Sequence, residues 1–353
     1  MPQPDPHTYA ACTDCVNLLP NGRCRKFLAG CDAEQRRQSA LRLGCRYRSV
    51  RPSLSLHVDA VQIKQGTFIT LQRLTEDTLR LGRILAPYRF DGVVGVARSG
   101  LIPASILAAV WHVPLLSVSP VSQHITALGS GYRLGDHGKT AQLTNVLLVD
   151  DTICGGNTSS RVLALVATAL PNARIVFAAI YATPETIDRV DVCAAVLPKP
   201  HVLEWNFANT YFVQWGAFDF DGVLCVDPNC ADDTPEYQRH IASAEALYLP
   251  RKHPITIVSA RCEQNRDASM QWLHLHEVNV RRLILWPESS RRASTTDIAN
   301  WKANILRQLK ASDDIRFYVE SDPIQAQIIA ERANMPVVCP AAELVFNVQQ
   351  WMC

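Results

Sequence analysis

The sequence predicts an α/β protein built from two doubly wound parallel-sheet domains behind a small cysteine-rich module. Three observations carry this expectation. Short, nearly continuous apolar runs alternate with helical patterns over most of the chain, as buried parallel strands do. Two of those runs end in paired acids followed by glycine, Asp150 with Asp151 and Asp219 with Asp221. Cys12, Cys15, Cys24, Cys31 and Cys45 crowd a start that has little apolar pattern.

At 353 residues the chain exceeds what one hydrophobic core usually organises. Hydrophobic residues at 48% and charged residues at 19% leave little room for long disorder. A net charge of +2 gives no global field, so attraction to nucleic acid has to be local. No run is apolar and long enough to cross a bilayer, and MPQPDPHTY lacks the layout of a signal peptide, so the expectation is a cytoplasmic protein with no membrane partner.

Residues 1–52 form the module, closing at Arg51, Pro52 and Ser53. Residues 53–212 form the first domain. It reads as an apolar run LHVDAVQI, a helix over Leu71 to Leu85, a strand over 92–97, a helix from Pro103 to His112, and strands NVLLVDD and RIVFAAIY. Between them, the polar stretch from Ser117 to Gln142 is expected to be a loop over a site. Residues 213–353 form the second domain, with strands at WGAFDFDGVL, 255–260, 281–286, 316–321 and 336–339.

In VLLVDDTICGGNTSS a strand runs into Asp150 and Asp151, then Thr152, Ile153, Cys154, Gly155, Gly156, Asn157 and Thr158, and then a helix-like run. A glycine turn opening a helix offers backbone N–H groups to an anion, and adjacent acids suit sugar hydroxyls. A ribose 5-phosphate supplies both. This stretch resembles the phosphoribosyl diphosphate signature of the type I phosphoribosyltransferases, and VARSGLIPA is similar to that family's pyrophosphate loop. The resemblance covers about residues 54–210. It implies that Asp150 and Asp151 hold the ribose hydroxyls and that Cys154, Gly155, Gly156, Asn157 and Thr158 hold the 5-phosphate. Arg98, Ser99 and Gly100 would hold the pyrophosphate with Mg²⁺, under a lid carrying Arg133 and Lys139. Purine-salvage members have an acid where Cys154 stands, which argues against a simple hypoxanthine or guanine transferase and leaves the acceptor open. Trp205 and Phe207 fall where the family builds a hood over the acceptor, with ordinary packing as the alternative.

In FDFDGVLCVDP two carboxylates stand at i and i+2 beyond a strand's carboxyl end. One can attack phosphorus while the other moves a proton, given a divalent cation to offset repulsion. From about residue 213 onward the chain resembles the haloacid dehalogenase-like phosphatases through motifs in matching order. The resemblance implies Asp219 as nucleophile, Asp221 as general acid and base, Ser259 on the phosphoryl group, and Lys302 neutralising charge. Glu320 and Asp322 would complete a Mg²⁺ site with Asp219 and the Asp221 carbonyl. Lys310 is an alternative to Lys302, Thr256 shares a strand with Ser259, and Arg261 is a candidate substrate contact. The segment from Cys225 to His253 is too short for a large cap domain. The EW segment at Glu204 and Trp205, leading into DxDGVLCxDP, also resembles a junction between such domains in bacterial and phage proteins.

Cys12 and Cys15 form a CxxC pair, with Cys24 next and Cys31 or Cys45 as fourth ligand; zinc is the first choice and an iron–sulfur cluster the second. The arginines around them could meet a nucleic acid or protein partner, or only solvate the surface. The main reading is therefore a bifunctional enzyme using phosphoribosyl diphosphate and Mg²⁺ on nucleotide-like small molecules. The alternative is a regulatory or defence-type effector that binds a nucleotide-like ligand at the first site. A homo-oligomer is compatible with either.

Overall fold

The computed structural model describes residues 61–62, 66–129, 143–155, 157–230, 234–287 and 294–347. The expectations on Cys12, Cys15, Cys24, Cys31 and Cys45, on Arg133 and Lys139 of the lid, and on Gly156 lie outside the described residues. In chain order the strands are β1 (Val61–Gln62), β2 (Thr67–Ile69), β3 (Gly92–Val96), β4 (Leu115–Val118), β5 (Ile125–Gly129), β6 (Asn145–Ile153), β7 (Arg174–Ala182) and β8 (Val192–Val196). There follow β9 (His201–Leu203), β10 (Gly216–Phe218), β11 (Ile255–Cys262), β12 (Val280–Trp286), β13 (Phe317–Val319), β14 (Val337–Cys339) and β15 (Leu344–Phe346).

The chain divides into two compact units, one holding 61–62 and 72–197 and the other 66–71 with 198–347 among the described residues. In the first, the strand order is β1-β8-β7-β6-β3-β4-β5, parallel throughout except for the β4–β5 pair. Every residue of β3 is buried, as its continuous apolar run requires. Val94, Val146, Leu148, Val162, Val166 and Phe177 belong to one core cluster. From β3 the chain moves to β4 on one side, and from β6 to β7 on the other. The β3–β6 boundary is thus the point where the winding reverses, and a crevice opens there beyond the strands' carboxyl ends.

In the second unit the order is β12-β11-β10-β13-β14-β15-β2-β9, parallel from β12 to β14, with β15 antiparallel to both its neighbours. Alternation sends Ala217, Val258 and Tyr318 into one apolar layer with Leu306 and Ile329, and Phe218, Ile257 and Val319 into another with Trp272 and Leu273. The helix Thr295–Ser312 begins at a capping box formed by Ser294 and Asp297, so its register, and with it Lys302, is set from the first turn. Here the winding reverses between β10 and β13.

Three features differ from the sequence expectation. The unit boundary falls after Leu197 rather than near Phe212, because β9 pairs with β2 at the edge of the second sheet. The stretch 117–142 is not all loop, since Ile125–Gly129 forms a strand against β4. Phe207 is no hood: it is buried in the second unit's core, with ring centroids 5.6 Å from Phe68 and 6.1 Å from Phe218. Among the described residues, no helix is long and apolar enough to cross a membrane.

One side chain ties the start of β3 to the start of β6. Asp91 accepts hydrogen bonds from Thr144 N at 2.8 Å, Thr144 Oγ1 at 2.7 Å and Asn145 N at 2.9 Å, and Asn145 Nδ2 donates to Tyr88 O at 2.6 Å. Asp91→Ala removes the acceptor from all three donors and is expected to destabilise the first unit by about 1–3 kcal/mol in denaturant unfolding; an unchanged midpoint would show the clamp to be decorative.

Candidate functional site

The first crevice follows from unequal strand lengths. β3 pairs with β6 only as far as Gly95 and Val149, whereas β6 continues through Asp150 to Ile153 against β7 alone. The loop after β3, carrying Arg98, Ser99 and Gly100, turns beside that free edge. Gly100 is needed there by close approach: a Cβ would stand 2.8 Å from Val96 O, 2.9 Å from Val149 O and 2.9 Å from Asp150 Oδ1. The Ala97–Arg98 peptide is cis. Asp151 N donates to Asp150 Oδ1 at 3.0 Å, and burial, followed by the charge of Asp151, holds the Asp150 carboxyl well above the ordinary carboxylate range. Beyond the acids, Cys154 and Gly155 are exposed, Arg189 Nη1 donates to Gly155 O at 3.0 Å, and the helix Asn157–Ala169 begins with Thr158 exposed. The structure thus brings the acid pair, the 98–100 loop and a helix start to one end of the sheet.

The second crevice is more fully built. Asp219 follows β10 and Glu320 follows β13, and the parallel pairing of Phe218 with Val319 sets the two acids side by side. Lys302 bridges them, its Nζ donating to Asp219 Oδ2 at 2.6 Å and Glu320 Oε2 at 2.7 Å. Lys302 and Glu320 are almost wholly buried and Asp219 is 6% exposed. Ser259, within β11, lines the same cavity as Asp219, Asp221, Lys302, Glu320 and Asp322. Of the two lysines weighed from sequence, Lys302 is the one at the cavity, while Lys310 donates to Asn334 O at the surface. Thr256 lies buried within β11 and does not line the cavity. Gly222 has φ +71, and a Cβ there would run into Ser321 and Asp227, so the turn after Asp221 requires glycine twice over.

Asp221 is clasped by Arg261, whose Nε donates to Oδ2 at 2.9 Å and whose Nη2 donates to Oδ1 at 2.6 Å. Burial alone would raise the Asp221 pKa, but hydrogen bonds from Arg261 and His240 and the guanidinium charge outweigh it and hold the carboxyl far below its usual range. The Arg261 guanidinium lies 3.6 Å from the Phe220 ring centroid. Burial would likewise lower the Lys302 pKa, yet the charges of Asp219 and Glu320 hold it above its ordinary value. Burial pushes Glu320 up to about 8 against the pull of Lys302.

Hard oxygen donors converge here, which suits a divalent cation such as Mg²⁺. Asp219 and Asp322 present carboxylates, and the Asp221 carbonyl accepts from Ser321 Oγ at 3.4 Å. Asp322 also caps the helix Pro323–Ala333, accepting from Ile324 N at 2.7 Å and Gln325 N at 3.1 Å. Glu320 is engaged on both oxygens, by Lys302 and by Asp322 N at 3.2 Å, and so positions the lysine. Another donor cluster, Asp221 with Cys225 and His240, has its ligand atoms within 4.8 Å of one another. Arg261 already fills it with positive charge, its Nη2 standing 3.3 Å from Cys225 Sγ.

Sequence reasoning missed Tyr237, His240, Trp286 and Gln325. The first two reach the site on the helix Pro235–Ser243, capped by Thr234 and inserted within the segment Cys225 to His253. Its Thr-Pro start was a readable signal; the direction of its side chains was not. Trp286 and Gln325 come from β12 and from the first turn after Asp322, and nothing in their local sequence marks them.

No protein-family model and no curated protein matches the chain. Among solved structures, part of the chain is similar to the xanthine-guanine-hypoxanthine phosphoribosyltransferase of Helicobacter pylori, at 17% identity over 40% of this chain and 93% of that one, with a TM-score of 0.34. The purine phosphoribosyltransferase of Pyrococcus horikoshii is similar at 24% identity over 40% of this chain and 94% of that one, with a TM-score of 0.32. The orotate phosphoribosyltransferase of Aeropyrum pernix is similar at 19% identity over 35% of this chain and 70% of that one, with a TM-score of 0.27.

The raised pKa of Glu320 has a consequence for stability. An unfolded glutamate titrates near ~4.3, so the folded state binds this proton more tightly. The resulting stabilisation is full below that pH and is lost as pH rises toward about 8. Glu320→Gln should therefore flatten the decline in unfolding free energy of the metal-free protein over that window, and parallel pH profiles for the two proteins would contradict it.

Proposed function

We propose that the second unit hydrolyses phosphate monoesters through a phosphoaspartate on Asp219. The observation that carries this reading is the buried triad of Asp219, Lys302 and Glu320 at the floor of a cavity that Ser259 and Asp221 also line. Asp219 Oδ attacks phosphorus, the ester oxygen leaves with a proton from Asp221, and Asp221 then takes a proton from the water that releases phosphate. Asp221 is ionised and clasped by Arg261 before substrate arrives; as the phosphoryl group draws the guanidinium away, the carboxyl takes up a proton from solvent water, and this is the proton it passes to the leaving oxygen. Ser259 donates to the phosphoryl oxygens, and Lys302 offsets charge on nucleophile and phosphate. Magnesium, held by Asp219, Asp322 and the Asp221 carbonyl, would supply further neutralisation of the phosphate.

For the first unit the reading is binding of phosphoribosyl diphosphate, with transfer of its phosphoribosyl group to an acceptor. Asp150 and Asp151 at the free edge of β6, with Gly100 packed against Asp150, support it together with the sequence resemblance of both loops. Arg98, Ser99 and Gly100 take the pyrophosphate end, and the turn from Cys154 to Thr158 takes the 5-phosphate.

The two chemistries are separable by mutation. Asp219→Asn should lower Mg²⁺-dependent phosphate release by on the order of a thousandfold or more while leaving calorimetric binding of phosphoribosyl diphosphate intact. Asp150→Asn combined with Asp151→Asn should do the converse, removing binding and sparing phosphate release. Loss of both functions in either variant would contradict two independent sites. Binding without pyrophosphate release across a panel of bases would instead favour the regulator.

A further inference from the structure

The cavity over Asp219 is unevenly charged. Among the described residues, five acids line it against two cations, Arg261 and Lys302. Both cations are engaged, Lys302 between Asp219 and Glu320 and Arg261 on Asp221. In the reaction proposed above, Asp219 attacks, Asp221 moves the proton, Glu320 positions Lys302 and Asp322 is a cation ligand. The fifth acid, Asp227, has no part in it. Its side chain is exposed, and no described residue donates a hydrogen bond to it.

The place of Asp227 is nonetheless fixed. The chain leading to it pairs with residues 245–248: Val226 N donates to Glu245 O at 2.9 Å, Leu247 N to Leu224 O at 2.9 Å and Tyr248 N to Val223 O at 3.1 Å. Pro228 follows and disfavours helical backbone at Asp227. The carboxylate lies against the turn after Asp221, where a Cβ on Gly222 would come 2.6 Å from its Oδ2. Burial, then the charges of Asp221 and Asp219, raise its pKa, so the field of the two reacting acids reaches it. An acid held beside two others without a partner breaks a local electrostatic rule, and folds keep such breaks where function needs them.

We infer that Asp227 is a specificity-determining residue, an electrostatic filter in the cavity wall that turns away leaving groups carrying a second anionic charge and admits neutral or cationic ones. The inference rests on the phosphatase reading and narrows its substrate class to monoesters whose scissile phosphoryl group is their sole anion, setting bisphosphates and nucleoside diphosphates aside. Lys302 and Arg261 are spent on the acids and on that phosphoryl group, so neither is left to meet a second phosphate, which Asp227 repels. Two unit charges several ångströms apart, partly screened by water, shift an equilibrium by about fivefold.

The test compares phosphate release by the full-length chain with Mg²⁺ in excess on phosphoethanolamine, glucose 6-phosphate and glucose 1,6-bisphosphate, whose leaving groups are cationic, neutral and anionic. kcat/KM should fall in that order. In Asp227→Asn the ratio of the bisphosphate to glucose 6-phosphate should rise about fivefold, mainly through KM, while Asp227→Glu keeps the original ratio. Added salt should shrink the preference of the unaltered protein as the charges are screened. A ratio unmoved in Asp227→Asn, or bisphosphate turned over by the unaltered protein as well as glucose 6-phosphate, would overturn the inference. If no ester gives Asp219-dependent phosphate release, the phosphatase reading fails, and the filter is judged by calorimetry of the two glucose esters on the Asp219→Asn protein with and without Asp227→Asn. A narrowed gap in affinity then sustains the filter, and an unchanged gap, or no binding of either ester, removes it.

Discussion

Lys302 Nζ reaches Asp219 at 2.6 Å and Glu320 at 2.7 Å from the middle of a helix, with almost none of its surface exposed. An ammonium so buried is tolerable only with its charge met, and two acids so close are tolerable only with a cation between them or a proton on one. Each member therefore fixes the others. β10 and β13 have to be parallel neighbours in register, the helix Thr295–Ser312 has to start at its capping box, and its apolar face has to seat on the sheet beside Leu306 and Ala303. The second unit's fold is, in this sense, the arrangement that holds a buried ammonium between two acids at a strand end.

The same topological logic recurs in the first unit with different chemistry. Each sheet reverses its winding once among these parallel strands, between β3 and β6 and between β10 and β13, and each candidate site lies at that reversal. The acids at the two places behave oppositely. Asp150 and Asp151 are adjacent, and burial keeps Asp150 reluctant to ionise. Asp221 is kept ionised by a bidentate arginine.

Much of this was legible in the sequence, and the reasons are physical. Strand ends followed by acids and glycine are local patterns, so Asp150, Asp151, Asp219 and Asp221 could be read from spacing alone. The resemblance narrowed the lysine only to Lys302 or Lys310, because which helix face meets the sheet is a packing outcome. The clasp of Arg261 on Asp221 joins residues 40 apart in sequence and left no local mark. The expected boundary near Phe212 differs from the division after Leu197 because the short strand His201–Leu203 pairs with Thr67–Ile69, far earlier in the chain. Phe207 had two readings for the same reason: an aromatic in a short helix looks alike whether it faces a ligand or a core.

Tyr237 and His240 reach the second crevice from a short insert. The helix Pro235–Ser243 delivers one ring to the cavity wall and an imidazole 3.4 Å from Asp221. The most direct measurement of the central claim is chemical trapping. The protein is mixed with Mg²⁺ and a phosphate-labelled ester, quenched in acid within a turnover, and digested for peptide mapping. The account predicts label on the peptide carrying Asp219, stable to acid and released by base or hydroxylamine. Turnover with no protein-bound label at any quench time, or label on another residue, would contradict it.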